Sequence, residues 1–411
     1  MTSKIDNVFF LNKFLFILII SLFLNRTTLV NAQSRDSLQI KKNYVITGYA
    51  QYGDILATNP FLRQAFSASN AAEEYAAFSL QFMKQTTGEK YWEQVYGFPQ
   101  YGLGVYTATF FNKNGLGTPI ALYGVFKAPF VRWNKLSLNY EAGFGFTFNW
   151  ESFSPTENNY NPSLGAEQSF FIDAGVSLGY QLSRHFDLGF GYDFTHFSNG
   201  ALKSPNSGLN IFSPKLTLNY RLNPFNAEQL KKPFPPYIKN TTIDFSVFGG
   251  TKNVIYLNNN AVDTITKYRG VYYPVYGFSV LINRQLDYKS KVGIGIGLSY
   301  DGSNNSTVIV TNGELEPQGG FQANRLALSV FASYELVIDR LSLVVQPGIY
   351  VLRNQTTNVK PIAYQRLGLQ YQLRKNLFAG ISLHAYNLHV SDYLEWTLGY
   401  RLSLPKKRNN N

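Results

Sequence analysis

Residues 292–300 read Val-Gly-Ile-Gly-Ile-Gly-Leu-Ser-Tyr, so every even position is apolar and the odd positions are glycine or serine. Successive side chains of a β-strand point to opposite faces, and this stretch therefore predicts a strand with one apolar and one small or polar face. The same alternation recurs along the rest of the chain. A soluble β-sandwich also alternates, but long strands with aromatic residues crowded at their ends are typical of an outer-membrane β-barrel.

Composition narrows the class of protein further. The chain has 411 residues, 16% of them aromatic, a net charge of +12 and no cysteine. Without cysteine, a thiolate zinc site, a disulfide framework and a cysteine nucleophile are all excluded. Beyond residue 32, no stretch approaches the roughly 18 to 20 consecutive apolar residues that a membrane-spanning helix needs. These features predict an exported, β-rich protein.

The N-terminus carries an export signal. Lys4 and Lys13 precede an apolar run at 14–24, and the small-residue site Val-Asn-Ala follows at 30–32. A basic start, a short apolar core and a cleavage site of this kind are typical of a secretory signal peptide. We therefore predict that residues 1–32 are removed and that the mature chain is delivered to the cell outer membrane.

Alternating stretches separated by turn residues predict the strands of the first half. They lie at 44–57, 73–86, 97–111, 117–130, 134–148, 168–182, 186–198 and 207–222. Connections after the odd-numbered strands are mostly long, whereas those after the even-numbered strands include tight turns such as Ser183-Arg184-His185. That asymmetry fits long outer loops and short periplasmic turns, and it places residue 198 at the outer end of its strand.

The second half of the chain repeats the first. Lys-Leu-Ser-Leu at 135–138 recurs as Arg-Leu-Ser-Leu at 340–343, and Tyr-Gln-Leu at 180–182 recurs at 371–373. This duplication predicts an all-β fold, an antiparallel transmembrane β-barrel of about 16 strands in two related eight-stranded units. The units close either as two small barrels or as one large barrel. The predicted divisions are a signal peptide at 1–32, a first unit at 33–222, a Pro-rich linker at 223–239, a degenerate second unit at 240–405 and a polar tail at 406–411.

One of the four histidines lies where a polar group needs an explanation. His185 falls in a predicted turn, and His384 falls on the glycine- and serine-bearing face of its strand, where a structural role is expected. In residues 188–198, the even positions form an apolar stripe that His196 and Ser198 continue at its outer end. Polar groups on a lipid-facing stripe are costly unless they engage each other or a substrate.

Ser198 and His196 form a candidate nucleophile and general base. Two residues apart on one strand, they share a face with Cα atoms about 6 to 7 Å apart, so a rotamer choice brings imidazole to hydroxyl. Asn210 falls on the same outward face of the next strand, where its amide can accept the imidazole N–H and fix the tautomer. On the residues alone, this catalytic interpretation stands beside a simpler one, in which the histidine and serine belong to the interfacial girdle.

The loop between these two strands offers oxyanion donors. Backbone N–H groups at Asn199 and Gly200, or the side-chain amide of Asn206, are the candidates, because Gly and Asn readily adopt the turns that aim donors inward. The second half has only an echo of the site, His-Val-Ser-Asp at 389–392, with no loop after it to build an oxyanion hole. We therefore predict one active site, in the first half.

A motif in this region points to a family. His-Phe-Ser-Asn-Gly at 196–200, followed by Pro-Asn-Ser-Gly at 205–208, resembles the H-x-S-N motif of the outer-membrane lipid A 3-O-deacylases, also called acyloxyacyl hydrolases. The resemblance implies an eight-stranded barrel whose outer-wall Ser and His hydrolyse an ester-linked acyl chain of lipopolysaccharide without a metal. It implies that Ser198 is the nucleophile and His196 the base, with Asn199 and Asn206 in the oxyanion neighbourhood.

Asn210 departs from that family, which usually has Glu at this position. A neutral amide can orient the imidazole, but it cannot stabilise imidazolium by charge. The leading hypothesis is a serine esterase that deacylates lipid A. The alternative is a non-catalytic outer-membrane barrel that acts as a channel, transports lipid or solute, or has a structural role.

The expected partners follow from these hypotheses. They are lipid A or lipopolysaccharide of the outer leaflet and other membrane lipids. No metal or other cofactor is expected, because the histidines lack ligand partners at useful spacing. Nucleic acid is not expected either, because the basic residues form no stripe. The sequence leaves the oligomeric state open.

Overall fold

The computed structural model describes most of the chain beyond the signal peptide. The described residues are 43–56, 74–111, 115–154, 156–158, 161, 163–225, 233, 235–256, 270–311, 314–317, 320–356, 359–388 and 390–404. The predicted signal peptide at 1–32, the predicted tail at 406–411 and His389 of the second-half echo lie outside these residues.

The first half forms a closed antiparallel barrel of eight strands in sequence order, in which β1 pairs with β8. Its strands are β1 (Tyr44–Leu56), β2 (Glu74–Gln85), β3 (Gln100–Thr109), β4 (Gly117–Trp133), β5 (Leu136–Trp150), β6 (Ser169–Gln181), β7 (Phe186–Ser198) and β8 (Leu209–Arg221). The connection between β2 and β3 is longer than a tight turn because it contains a short helix, α1 (Tyr91–Val95). In this connection, the Glu93 carboxylate accepts hydrogen bonds from the backbone N–H groups of Gly88 and Glu89.

The second half closes into a barrel of its own, again with eight antiparallel strands. They are β9 (Asn240–Ile255), β10 (Gly270–Gln285), β11 (Ser290–Asp301), β14 (Leu326–Ile338), β15 (Leu341–Arg353), β16 (Ala363–Gln372), β17 (Leu377–Tyr386) and β18 (Val390–Ser403). A two-stranded sheet of β12 (Val308–Thr311) and β13 (Glu314–Pro317) lies in the loop after β11. The all-β prediction is confirmed, and the open choice between one barrel and two is resolved as two.

Both barrels turn an apolar face outward, as β7 shows. Its outward residues Leu188, Phe190, Tyr192 and Phe194 are exposed, while the intervening Gly189, Gly191, Asp193 and Thr195 are buried in the lumen. Closure of each barrel satisfies the backbone hydrogen bonds that lipid cannot. An outward apolar belt on a closed barrel defines a membrane β-barrel.

The lumen of the first barrel is filled by side chains through much of its length. Near the long-loop end, the Phe197 ring packs edge-on against Trp150 and tilted against Phe171, with ring centroids 5.0 and 5.7 Å away. Towards the turn end, the lumen holds a cavity of about 690 Å³, whose lining includes Lys127 and Arg221. This filling is typical of small eight-stranded barrels.

No helix in the described part of the chain is long and apolar enough to cross a membrane.

A buried ion network fixes the middle of the first lumen. The Lys215 ammonium lies between the carboxylates of Asp193 and Glu141, with its Nζ 3.5 Å from Glu141 Oε1. All three side chains are buried. Removing Lys215 would leave Asp193 buried without its counter-charge and Glu141 with Lys127 alone, whose Nζ lies 3.9 Å from Glu141 Oε2. Such a loss is far costlier than losing an exposed pair.

We expect Lys215→Met to lower the free energy of unfolding by about 3 to 5 kcal/mol. The measurement is urea unfolding of the refolded barrel, followed by its heat-modifiable gel mobility. Lys135→Met is the matched control, because Lys135 lies exposed in the turn between β4 and β5. Equal unfolding midpoints for the two variants would show that the network contributes no stability.

Candidate active site

The outer end of β7 places His196 and Ser198 on the outward face of the first barrel. Both side chains continue the face formed by Leu188, Phe190 and Tyr192, as the alternation predicts. Unlike those neighbours, Ser198 is almost covered, with 4% of its surface exposed against 55% for Phe190. The two polar residues therefore lie in a sheltered part of an otherwise lipid-facing wall.

His196 and Asn210 are directly opposite each other on β7 and β8. The His196 Nδ1 atom lies 2.6 Å from Asn210 Oδ1. An amide oxygen can only accept, so this contact places the ring proton on Nδ1 and leaves Nε2 as the basic nitrogen. The arrangement orients the imidazole, as a third triad member does.

Ser198 is the last residue of β7 and lies on the same outward face as His196. Within the described residues, the Ser198 hydroxyl makes no hydrogen bond with His196 or with any other group. A change of side-chain rotamer is therefore needed to join nucleophile and base. Catalytic contacts often tighten in this way only when substrate is bound.

The loop at 199–208 presents the oxyanion candidates, and the structure separates their roles. The Asn199 backbone N–H donates to Asn206 Oδ1 at 2.8 Å, so that donor is already engaged. The Asn206 side-chain Nδ2 is buried and has no hydrogen-bond partner among the residues that the structure describes. Gly200 follows in the left-handed region, with φ of +64°. Of the predicted donors, the Asn199 N–H is therefore engaged, whereas the buried Asn206 Nδ2 has a hydrogen bond left to give.

Sequence reasoning missed the role of Gly208, which packs against the imidazole. A Cβ at this position would lie 2.9 Å from His196 Cε1, closer than a real Cβ approaches, and its φ of +70° also favours glycine. The Gly208 N–H donates to Ser163 O at 3.1 Å, which ties the loop to the preceding one. The only signal was the final glycine of the 205–208 segment.

The second half places Asp392 of its echo and the neighbouring His384 inside the lumen. Asp392 is buried, and its carboxylate lies 2.9 Å from Lys252 Nζ. His384 is also buried, with its Nε2 3.1 Å from the Tyr350 hydroxyl. These residues pack the lumen instead of facing the membrane. Among the described residues, no group of three or more His, Cys, Asp or Glu is placed to hold a metal ion.

Two family models match successive parts of the chain. The model of lipid A 3-O-deacylase (PagL) matches residues 76–221, and the model of the acyloxyacyl hydrolase C-terminal domain matches residues 241–404. No curated protein sequence matches.

Several solved structures are similar to the chain. The crystal structure of the outer membrane enzyme PagL is 17% identical, with a TM-score of 0.28, covering 43% of this chain and 98% of that one. The siderophore receptor PirA from Pseudomonas aeruginosa is 9% identical, with a TM-score of 0.23, covering 92% of this chain and 82% of that one.

The fold defines an outer-membrane β-barrel. His196 and Ser198 on its outward face form a candidate hydrolytic site on the lipid-facing side. The two family models together extend over both barrels, from residue 76 to residue 404. The chain belongs to the lipid A 3-O-deacylase (PagL) and acyloxyacyl hydrolase family, as the motif predicted.

Proposed function

We propose that this protein is a serine esterase that hydrolyses an ester-linked acyl chain of lipid A in the outer leaflet. The observation that carries the proposal is the 2.6 Å contact between His196 Nδ1 and Asn210 Oδ1, beside Ser198 on the outward wall. This contact leaves a basic Nε2 on the same strand face as a hydroxyl. The name of the matched family, lipid A 3-O-deacylase, supports the substrate class.

The chemistry begins with proton transfer from Ser198 to His196. The Ser198 Oγ attacks the ester carbonyl carbon while His196 Nε2 takes the hydroxyl proton. The negative charge that develops on the carbonyl oxygen is stabilised by the Asn206 Nδ2 donor. The imidazolium then gives its proton to the departing sugar oxygen, which leaves an acyl group on Ser198.

A water molecule completes the cycle. His196 Nε2 removes a proton from water, and the resulting hydroxide attacks the acyl-serine carbonyl. Collapse of this second intermediate returns the proton to Ser198 Oγ and releases the fatty acid. Asn210 keeps the Nδ1 proton in place throughout, so the same ring nitrogen serves both halves of the reaction.

The outward wall suits this substrate class. An acyl chain of a membrane lipid lies alongside the barrel, and its ester bond lies near the headgroup boundary, where an outer strand end is also found. A channel would instead use the lumen, which is occupied near the long-loop end by the packed rings of Phe171, Phe197 and Trp150. The esterase proposal therefore uses the face that the fold leaves accessible.

The proposal is tested by mass spectrometry of lipid A from a Gram-negative host without a deacylase of its own. Cells that produce the full chain are expected to contain lipid A lighter by one acyl chain, and the mass difference identifies that chain. Cells with an empty vector are the control. Unchanged lipid A from cells whose outer membrane contains the folded barrel would contradict the proposal.

We expect Asn206→Asp to lower kcat on the order of 100-fold. Aspartate keeps an oxygen for the Asn199 N–H but replaces the Nδ2 donor with a second oxygen, which repels the oxyanion. The measurement is fatty-acid release from lipopolysaccharide in mixed micelles by the purified protein. Ser207→Ala, an exposed neighbour in the same loop, is the matched control. Equal rates for the two variants would exclude Asn206 as the donor.

A further inference from the structure

The loop that carries Asn206 is held by the second barrel as well as the first. The Ser204 backbone N–H donates to Asn253 Oδ1 of β9 at 3.3 Å. Leu394 of β18 reaches the same loop, with its Cδ1 only 3.6 Å from where a Cβ on Gly200 would lie. β9 and β18 are paired neighbours, so these contacts come from one seam of the second barrel, the β9–β18 seam.

Burial along the strands shows that this seam is covered only at its outer end. On the outward face of β18, Leu394 is 7% exposed, whereas Leu398 on the same face is 50% exposed. Phe170, which pairs with Ser198, is also buried, and its ring packs on Phe146 of its own barrel with centroids 5.1 Å apart. Leu394 is therefore covered where the second barrel meets the loop that follows the nucleophile.

A second set of contacts joins the barrels at their turn ends. Lys90 Nζ lies 2.8 Å from Asp339 Oδ2, in the turn between β14 and β15. The Tyr96 hydroxyl donates to the backbone oxygen of Val337 at 2.8 Å. Contacts at both ends restrain rotation of one barrel against the other, so the seam keeps its place beside the loop.

We propose that the β9–β18 seam is part of the active site, with Asn253 and Leu394 as positioning residues for the loop that bears the oxyanion donor. This inference rests on the proposed esterase function. Asn253 accepts from the backbone N–H of Ser204, two residues before Asn206, and the Leu394 side chain faces Gly200, two residues after Ser198. The second barrel thus contributes to catalysis without a nucleophile of its own.

Replacement of Asn253 tests the polar contact. We expect Asn253→Leu to lower kcat about fivefold with little change in KM, because one hydrogen bond to the loop is lost. Asn253→Asp keeps an oxygen acceptor for the Ser204 N–H, and its kcat is expected to stay close to that of the wild type. The measurement is fatty-acid release from lipopolysaccharide in mixed micelles. Equal losses in both variants would show a general disturbance of β9 instead of a positioning contact.

Replacement of Leu394 tests the apolar contact. We expect Leu394→Ala to lower kcat about fivefold or more, because the loop loses its packing partner. Leu398→Ala is the matched control, because it is the same substitution on the outward face of β18 but away from the loop. Heat-modifiable gel mobility confirms that each variant is folded. Wild-type kcat for both Leu394→Ala and Asn253→Leu would overturn the inference.

A readout independent of activity separates this inference from the proposed function. The chain has no cysteine, so Lys203→Cys introduces a unique site for a spin label in the loop. We expect the label to be more mobile when Asn253→Leu is added, and unchanged when Leu398→Ala is added. A wild-type protein that releases no fatty acid would refute the esterase proposal. An unchanged label mobility would refute the positioning role, whatever the activity.

Discussion

Ser198→Ala and His196→Ala are each expected to lower the rate of acyl-ester hydrolysis by about 10⁴- to 10⁶-fold, and the double variant is expected to lose no more than either single variant. The reason is that nucleophile and base act as a unit. Without the hydroxyl the base has no proton to take, and without the imidazole the hydroxyl is a weak nucleophile. Residual turnover would come from the oxyanion donor and from substrate binding alone.

The measurement is single-turnover release of fatty acid from lipopolysaccharide by the purified variants. Ser207→Ala and His185→Ala are matched controls, because they remove the same side chains from an exposed loop position and from the turn after β6. Both controls are expected to keep the wild-type rate. Losses that multiply in the double variant would show that Ser198 and His196 act independently, and that the pair is not a nucleophile with its base.

Strand alternation predicted much of the fold. The stretch at 186–198 forms β7 with those bounds, and its even residues face outward as expected. The duplication also has a structural counterpart. Leu136 pairs with Tyr180 across β5 and β6, and Leu341 pairs with Tyr371 across β15 and β16, in the fifth and sixth strands of each barrel. Side-chain period and repeated motifs are local properties, and a sequence displays them directly.

Barrel closure could not be predicted in the same way. Whether β8 pairs back to β1 or continues to β9 depends on contacts between residues far apart in sequence, such as Tyr220 with Ile46. Alternation gives the faces of a strand but not its distant partner. The contact of the β9–β18 seam with the loop was missed for the same reason, because no local pattern marks Asn253 as a neighbour of Ser204.

For the candidate site, the sequence likewise predicted which side chains share a face but not the contacts of the loop. The shared outward face of His196 and Asn210 follows from alternation, and the register that brings them together lies within one hairpin. The engagement of the Asn199 N–H by Asn206 does not follow, because loop hydrogen bonds depend on backbone angles that polar sequence leaves undetermined. The close approach of Gly208 to the imidazole depends on the same angles.

Asn210→Leu is expected to lower kcat by about 10³- to 10⁴-fold, whereas Asn210→Glu is expected to raise it about tenfold. Leucine has the same branched shape but no acceptor, so the imidazole loses the contact that keeps its proton on Nδ1. Glutamate, the usual residue of the family at this position, accepts the same proton and adds a charge that stabilises imidazolium as it forms. The two substitutions therefore separate orientation from electrostatic stabilisation.

The measurement is kcat for fatty-acid release by the two variants, with Phe212→Leu as the matched control on the next outward position of β8. A wild-type rate for Asn210→Leu would exclude Asn210 as the orienting residue. A rate for Asn210→Glu no higher than wild type would mean that the cost of placing a carboxylate on a sheltered, lipid-facing wall offsets its gain, because an ion leaving water loses hydration that one partner only partly replaces. The neutral amide would then be a sufficient third member for this site, with orientation as its whole contribution.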